Sequence, residues 1–103
     1  MDADNRLVLT GTVATAPSTT SSPTGIPHCE FGLEHQSQQM EAGMGRRAWC
    51  YLSVVASGRE IQPQTLNLTK GSTARVIGFL SHHRTPNGVG KLVLHAQQIE
   101  MIA

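Results

Sequence analysis

The chain's one Trp and one Tyr, Trp49 and Tyr51, stand two positions apart in "RRAWCYLSVV" (residues 46–55), directly after Arg46 and Arg47. On a strand, alternation sends Ala48, Cys50, Leu52 and Val54 to one face and Arg47, Trp49, Tyr51 and Ser53 to the other. The first set is a core. The second joins two rings to a cation, the combination that stacks unpaired bases and meets phosphate. Duplex nucleic acid, whose bases already stack on one another, gains little from such rings. Packing accounts for the same residues: strand aromatics stabilise sheets and meet loops or second subunits. The pattern alone leaves both readings open.

Other constellations carry less. His82-His83 with Cys29 and Cys50 suggests a metal, but there is no C-x2-C spacing and both thiols fall in core phase. His28 and Cys29 have the types of a base and a nucleophile, yet adjacent strand residues point to opposite faces. "GVGK" (88–91) lacks the GxxxxGK[ST] pattern of a phosphate-binding loop. Arg84 and Lys91 flank a loop, where they are either solvated charges or the rim of a groove. No cofactor is expected.

These residues need elements to position them. Period-2 alternation recurs over 6–14, 28–36, 47–56, 73–83 and 91–102, which predicts five strands. The Ser-, Thr- and Pro-rich stretch between the first two reads as a flexible loop, and 37–45 as a second loop. A short helix or turn fits between the third and fourth, limited in length by Pro63. Asn87-Gly88 signals a hairpin between the last two. Five short strands with this spacing predict an all-β, five-stranded Greek-key OB-fold barrel, one domain over residues 1–103. A β-sandwich normally needs seven or more.

The neighbouring strands colour the site. The second has Cys29, Phe31 and Leu33 in core phase, which leaves Glu30, Gly32 and Glu34 on the side of Trp49. Two carboxylates there repel a phosphate track, neutralise Arg46 or Arg47, or shape a protein contact. On the fifth, Leu92, Leu94 and Ala96 are read as inward and Lys91, Val93 and His95 as outward. Lys91 is then expected beside Trp49.

Composition bounds the rest. At 103 residues the chain is long enough for one core, burying somewhat more than roughly 60% of its unfolded surface. Residues 1–45 carry five acids and one base (net −4), and residues 46–103 seven bases and two acids (net +5). The basic half is the side for a polyanion, although so mild a field does not make a purely electrostatic binder. No apolar run approaches the roughly 20 residues of a membrane helix, and "MDADNRLVL" does not read as a signal peptide. A cytoplasmic location with reduced thiols and no membrane contact is expected.

Read together, "NRLVLTGTV" (5–13), "GIPHCEFGLEH" (25–35), "EAG" (41–43), "AWC" (48–50), "SG" (57–58), "GFLSHH" (78–83) followed by "NG", and "LVLHAQQIE" (92–100) resemble the primosomal replication protein N (PriB) family. The likeness runs in order along nearly the whole chain. More distantly, the first two stretches resemble bacterial single-stranded-DNA-binding protein. The resemblance implies an OB-fold homodimer, without catalytic activity, that binds single-stranded DNA in replication restart. Its implied partners are the PriA helicase, stabilised on DNA, and DnaT. The family's DNA surface implies Trp49, Arg84 and Lys91, which Arg46, Arg47 and Tyr51 extend here. Val8, Thr10 and Thr12 offer an outward face that suits either pairing or solvent.

The chain departs from that pattern at Thr20, Gln36, Met44 and Pro86, where binders carry basic or aromatic residues. At a salt slope near ~0.7 per neutralised phosphate, about three lost contacts weaken affinity by an order of magnitude or more. Two expectations follow: a single-stranded-DNA-binding accessory protein or, with Glu30 and Glu34 in mind, a protein-interaction adaptor with marginal DNA affinity.

Overall fold

The computed structural model describes residues 3–103. Met1 and Asp2, part of the start read against a signal peptide, lie outside them. The elements are β1 (Leu7–Val13), β2 (Ser18–Ser21), β3 (Pro27–Glu41), β4 (Met44–Ser57), α1 (Gln62–Thr65), β5 (Thr73–Arg84) and β6 (Gly90–Met101). The sheet runs β1-β5-β6-β4-β3-β2, and β3 returns to β1 where Thr12 and Val13 oppose Glu34 and Leu33. Five strands thereby close into the expected OB barrel, with β4 and β6 parallel.

Alternation fills it. Val13, Phe31, Leu33, Val54, Val76 and Leu94 converge on one core, sealed at one end by Ile61 and Leu68 around α1. Pro63 sits in the first turn of this helix, where its missing N–H costs nothing. Gln64 Oε1 accepts the Ile99 N–H at 2.7 Å and ties the plug to β6.

Several expectations need correction. The first loop contains β2, paired with β3 from Ser18 opposite Glu30 to Ser21 opposite Pro27. All four of its residues are exposed, so no apolar alternation announces it. The second loop is instead a ribbon, in which β3 and β4 stay paired as far as Glu41 opposite Met44. It turns on Ala42 and Gly43, both at positive φ (52° and 76°), as a two-residue type I′ hairpin requires. Ala in that conformation costs about 1 kcal/mol, so the sequence carries no turn dipeptide there.

The Asn87-Gly88 turn forms inside a five-residue loop, residues 85–89, closed by the Thr85 N–H to the Val89 carbonyl at 2.8 Å. On β6, Gln97 is an extra residue between the pairs Ile77–Gln98 and Gly78–Ala96. This bulge changes the strand's phase, so Leu94, Ala96 and Ile99 all reach the interior. Leu92, read as inward, is 45% exposed because the β5–β6 hairpin outruns the barrel. Val93, read as outward, is 1% exposed. It lies beside Ser53 and Ser81, and the His83–His95 bond described below crosses over its row.

Candidate nucleic-acid interface

The outer face of β4 carries Arg47, Trp49, Tyr51 and Ser53, with the outer residues of β3 on one flank and those of β6 and β5 on the other. Trp49 is 58% exposed and Tyr51 46%. Trp49 Nε1 donates to Glu34 Oε2 at 3.1 Å, which anchors the ring edge to β3 and leaves much of the indole in solvent. Tyr51 opposes Glu34 in the register and lines a trough of about 530 Å³ with Lys91, His83 and His95. Lys91 therefore borders Tyr51 rather than the expected Trp49.

The six site candidates divide between surfaces. Arg47, Trp49, Tyr51 and Lys91 share the outer face. Arg47 donates from Nη2 to Gln36 Oε1, so Gln36 meets this arginine rather than a phosphate. Arg46 is on the opposite face of the ribbon, 3.1 Å from Glu41 Oε1. Arg84 opposes Gly90 while Lys91 opposes His83, so alternation separates Arg84 from Lys91 across the hairpin. Glu30 and Glu34 neutralise neither Arg46 nor Arg47, whose side chains are engaged elsewhere. The departures are scattered: Thr20 lies exposed on β2, Met44 beside the ribbon turn and Pro86 in the β5–β6 loop.

The weaker constellations come apart. Cys29 is buried in the core, and burial pushes its thiol pKa up, the wrong direction for a nucleophile. His28 points the other way, its Nδ1 2.7 Å from Ser57 Oγ. Cys50, expected in the core, is only half-buried because β4 has already left the barrel there. Among the described residues, no three His, Cys, Asp or Glu side chains gather as metal ligands.

A histidine ladder escapes sequence reasoning. Phe79 and His95 oppose each other on β5 and β6, their rings parallel within 9° and 4.9 Å apart. His83 Nε2 lies 2.8 Å from His95 Nε2, so one ring donates and the other accepts with a bare nitrogen. Burial, then His83, pushes the His95 pKa below its ordinary value. The outward phase of His95 was the available signal, but its partners depend on the register.

A family model described as "Another single-strand binding protein family" matches residues 5–98. The chain belongs to this single-strand binding protein family. The chain is 57% identical over 98 residues to the replication restart protein PriB of Photorhabdus laumondii, covering 95% of this chain and 93% of that one. It is 56% identical over 98 residues to replication restart protein PriB of Escherichia coli K12, covering 95% and 94%. The PriB resemblance in the sequence is thereby shown.

Among solved structures, the priB protein of Ralstonia solanacearum matches with a TM-score of 0.80 at 25% identity, over 98% of this chain and all of that one. The single-stranded DNA binding protein of Thermus aquaticus matches with a TM-score of 0.78 at 23% identity, over 96% of this chain and half of that one. The latter likeness is one of fold.

Proposed function

We propose that the chain is a non-enzymatic, single-stranded-DNA-binding accessory protein of replication restart. One observation carries this reading: the Trp49 ring, exposed and held by Glu34, stands on one strand face with Tyr51 and Arg47 in a chain of the single-strand binding family. Trp49 stacks on a base, Tyr51 and Arg47 extend the track, and Lys91 meets phosphate beside Tyr51. Arg84 and Arg46 reach the DNA only where it wraps past the hairpin or ribbon edge. The protein works as a homodimer in the cytoplasm, where it stabilises the PriA helicase on DNA and helps recruit DnaT. It requires no cofactor. Among the described residues no helix is long and apolar enough to cross a membrane, and the proposal involves none.

Trp49→Ala is expected to weaken oligo-dT binding by roughly 5- to 150-fold, the worth of one base–aromatic stack. Fluorescence anisotropy of labelled DNA measures it, with circular dichroism confirming the fold. Unchanged affinity in the folded variant contradicts the assignment. Glu34 and Glu30 on this face favour a second reading, a protein-interaction adaptor. On that reading Trp49→Ala impairs helicase binding as much as DNA binding.

A further inference from the structure

Tyr51 reaches its position through an absence on the neighbouring strand. A Cβ built at Gly32 falls 1.8 Å from Tyr51 Oη and 2.4 Å from Cζ. The phenol therefore leans across β3 into the space that any other residue's side chain fills. Gly32 is buried beneath it, while the ring keeps 46% of its surface open. A ring held against a strand in this way has lost most of its rotamer freedom before any ligand arrives, which lowers the entropic cost of stacking on it.

The trough around this ring has the size and polarity of a nucleotide site. Its volume of about 530 Å³ lies within the range of small-ligand pockets. Lys91 and His83 stand on its β6 and β5 side, and Ser53 and Val93 belong to its lining. Glu30 lines the β3 side, with Glu34 next to Tyr51 in the register. A phosphate is drawn to the Lys91 side and repelled from the carboxylates, while the N–H groups on a base edge suit those carboxylates. The split charge thus orients one nucleotide across the trough, base toward β3 and phosphate toward β6.

We propose that this trough is a second nucleotide subsite, next along β4 from Trp49: a base of single-stranded DNA stacks on Tyr51, its phosphate meets Lys91 and His83, and Gly32 is a positioning residue that seats the ring. The proposal rests on the single-stranded-DNA reading of this face, and its test separates the two.

Affinity for oligo-dT is measured for Tyr51→Phe, Tyr51→Ala, Gly32→Val and the Gly32→Val/Tyr51→Ala double variant, with thermal melts as the check on folding. Tyr51→Phe keeps the stacking ring and is expected to retain more of the affinity than Tyr51→Ala. Tyr51→Ala loses roughly 5- to 150-fold. Gly32→Val, which lifts the ring, loses a similar factor, and the double variant loses no more than Tyr51→Ala alone, because the glycine acts only through the tyrosine. Full affinity in Tyr51→Ala, or losses from the two sites that multiply, overturns the subsite.

A second readout does not depend on the glycine variant folding. In a Trp49→Phe background, Tyr51→Trp reports on the trough directly: quenching by oligo-dT is expected, and an unchanged spectrum under saturating DNA overturns the proposal. Loss of binding in Trp49→Ala with full binding in Tyr51→Ala removes the subsite and leaves the DNA reading intact. Undetectable binding of oligo-dT by the parent protein removes both.

Discussion

The two hairpins that project from the barrel are built in opposite ways. The β3–β4 ribbon turns in two residues, and its polar side chains satisfy one another: Arg46 with Glu41, Arg47 with Gln36, Trp49 with Glu34. The β5–β6 hairpin turns through five residues and spends its local hydrogen bonds on the loop itself, through Thr85 and Asn87. Among the described residues, Arg84 and Lys91 form no salt bridge. The ribbon therefore offers positioned rings whose neighbouring cations are occupied, and the hairpin offers on the same face Lys91, which no carboxylate of the described residues pairs. Shape on this surface comes from β4 and available charge from Lys91 on β6.

The sharpest way to break this contrast is to remove the charges. Lys91→Ala is expected to lower the salt slope of single-stranded-DNA binding by about 0.7, one phosphate, and Arg84→Ala by less, since Arg84 lies on the other face of the hairpin. Arg47→Ala lowers it by less than one such unit, since Arg47 must first leave Gln36, and Arg46→Ala leaves it unchanged. Affinities across a salt series decide this, and an Arg46 effect equal to that of Lys91 erases the distinction.

A smaller effect tests the histidine ladder. With its folded pKa below the ordinary 6.5, His95 favours its neutral form in the native protein. The unfolded chain then takes up the proton first as pH falls. The stabilisation is complete above pH 6.5 and is lost as pH drops through the folded value. His83 and Phe79 face His95 from β5 and Lys91 precedes it on β6, while Glu30 and Glu60 lie along the adjoining troughs from β3 and the segment before α1. The melting temperature of the parent is expected to fall more than that of His95→Phe below pH 6.5, with the difference constant above it. A difference constant across the whole range contradicts a depressed His95.

The barrel was legible because its strands obey period 2: Cys29, Phe31 and Leu33 on β3 and Val54 on β4 all face inward as their alternation requires. The exposed pair Trp49 and Tyr51 followed from the same phase. What escaped depends on pairing rather than pattern. Ala42 occupies a conformation its side chain disfavours, so the ribbon had no turn signal. Gln97 shifts the phase of β6 without any compositional mark. The separation of Arg84 from Lys91 follows only once Arg84 is known to oppose Gly90. The seat of Tyr51 on Gly32 is a diagonal contact between strands, and nothing within either segment announces it.

The most direct test of the account uses the intrinsic fluorescence of Trp49, the chain's one tryptophan, titrated with oligo-dT at several salt concentrations. Stacking predicts quenching that saturates, with an affinity that weakens as salt rises. An unchanged spectrum while an independent assay shows bound DNA contradicts the placement of a base on this ring.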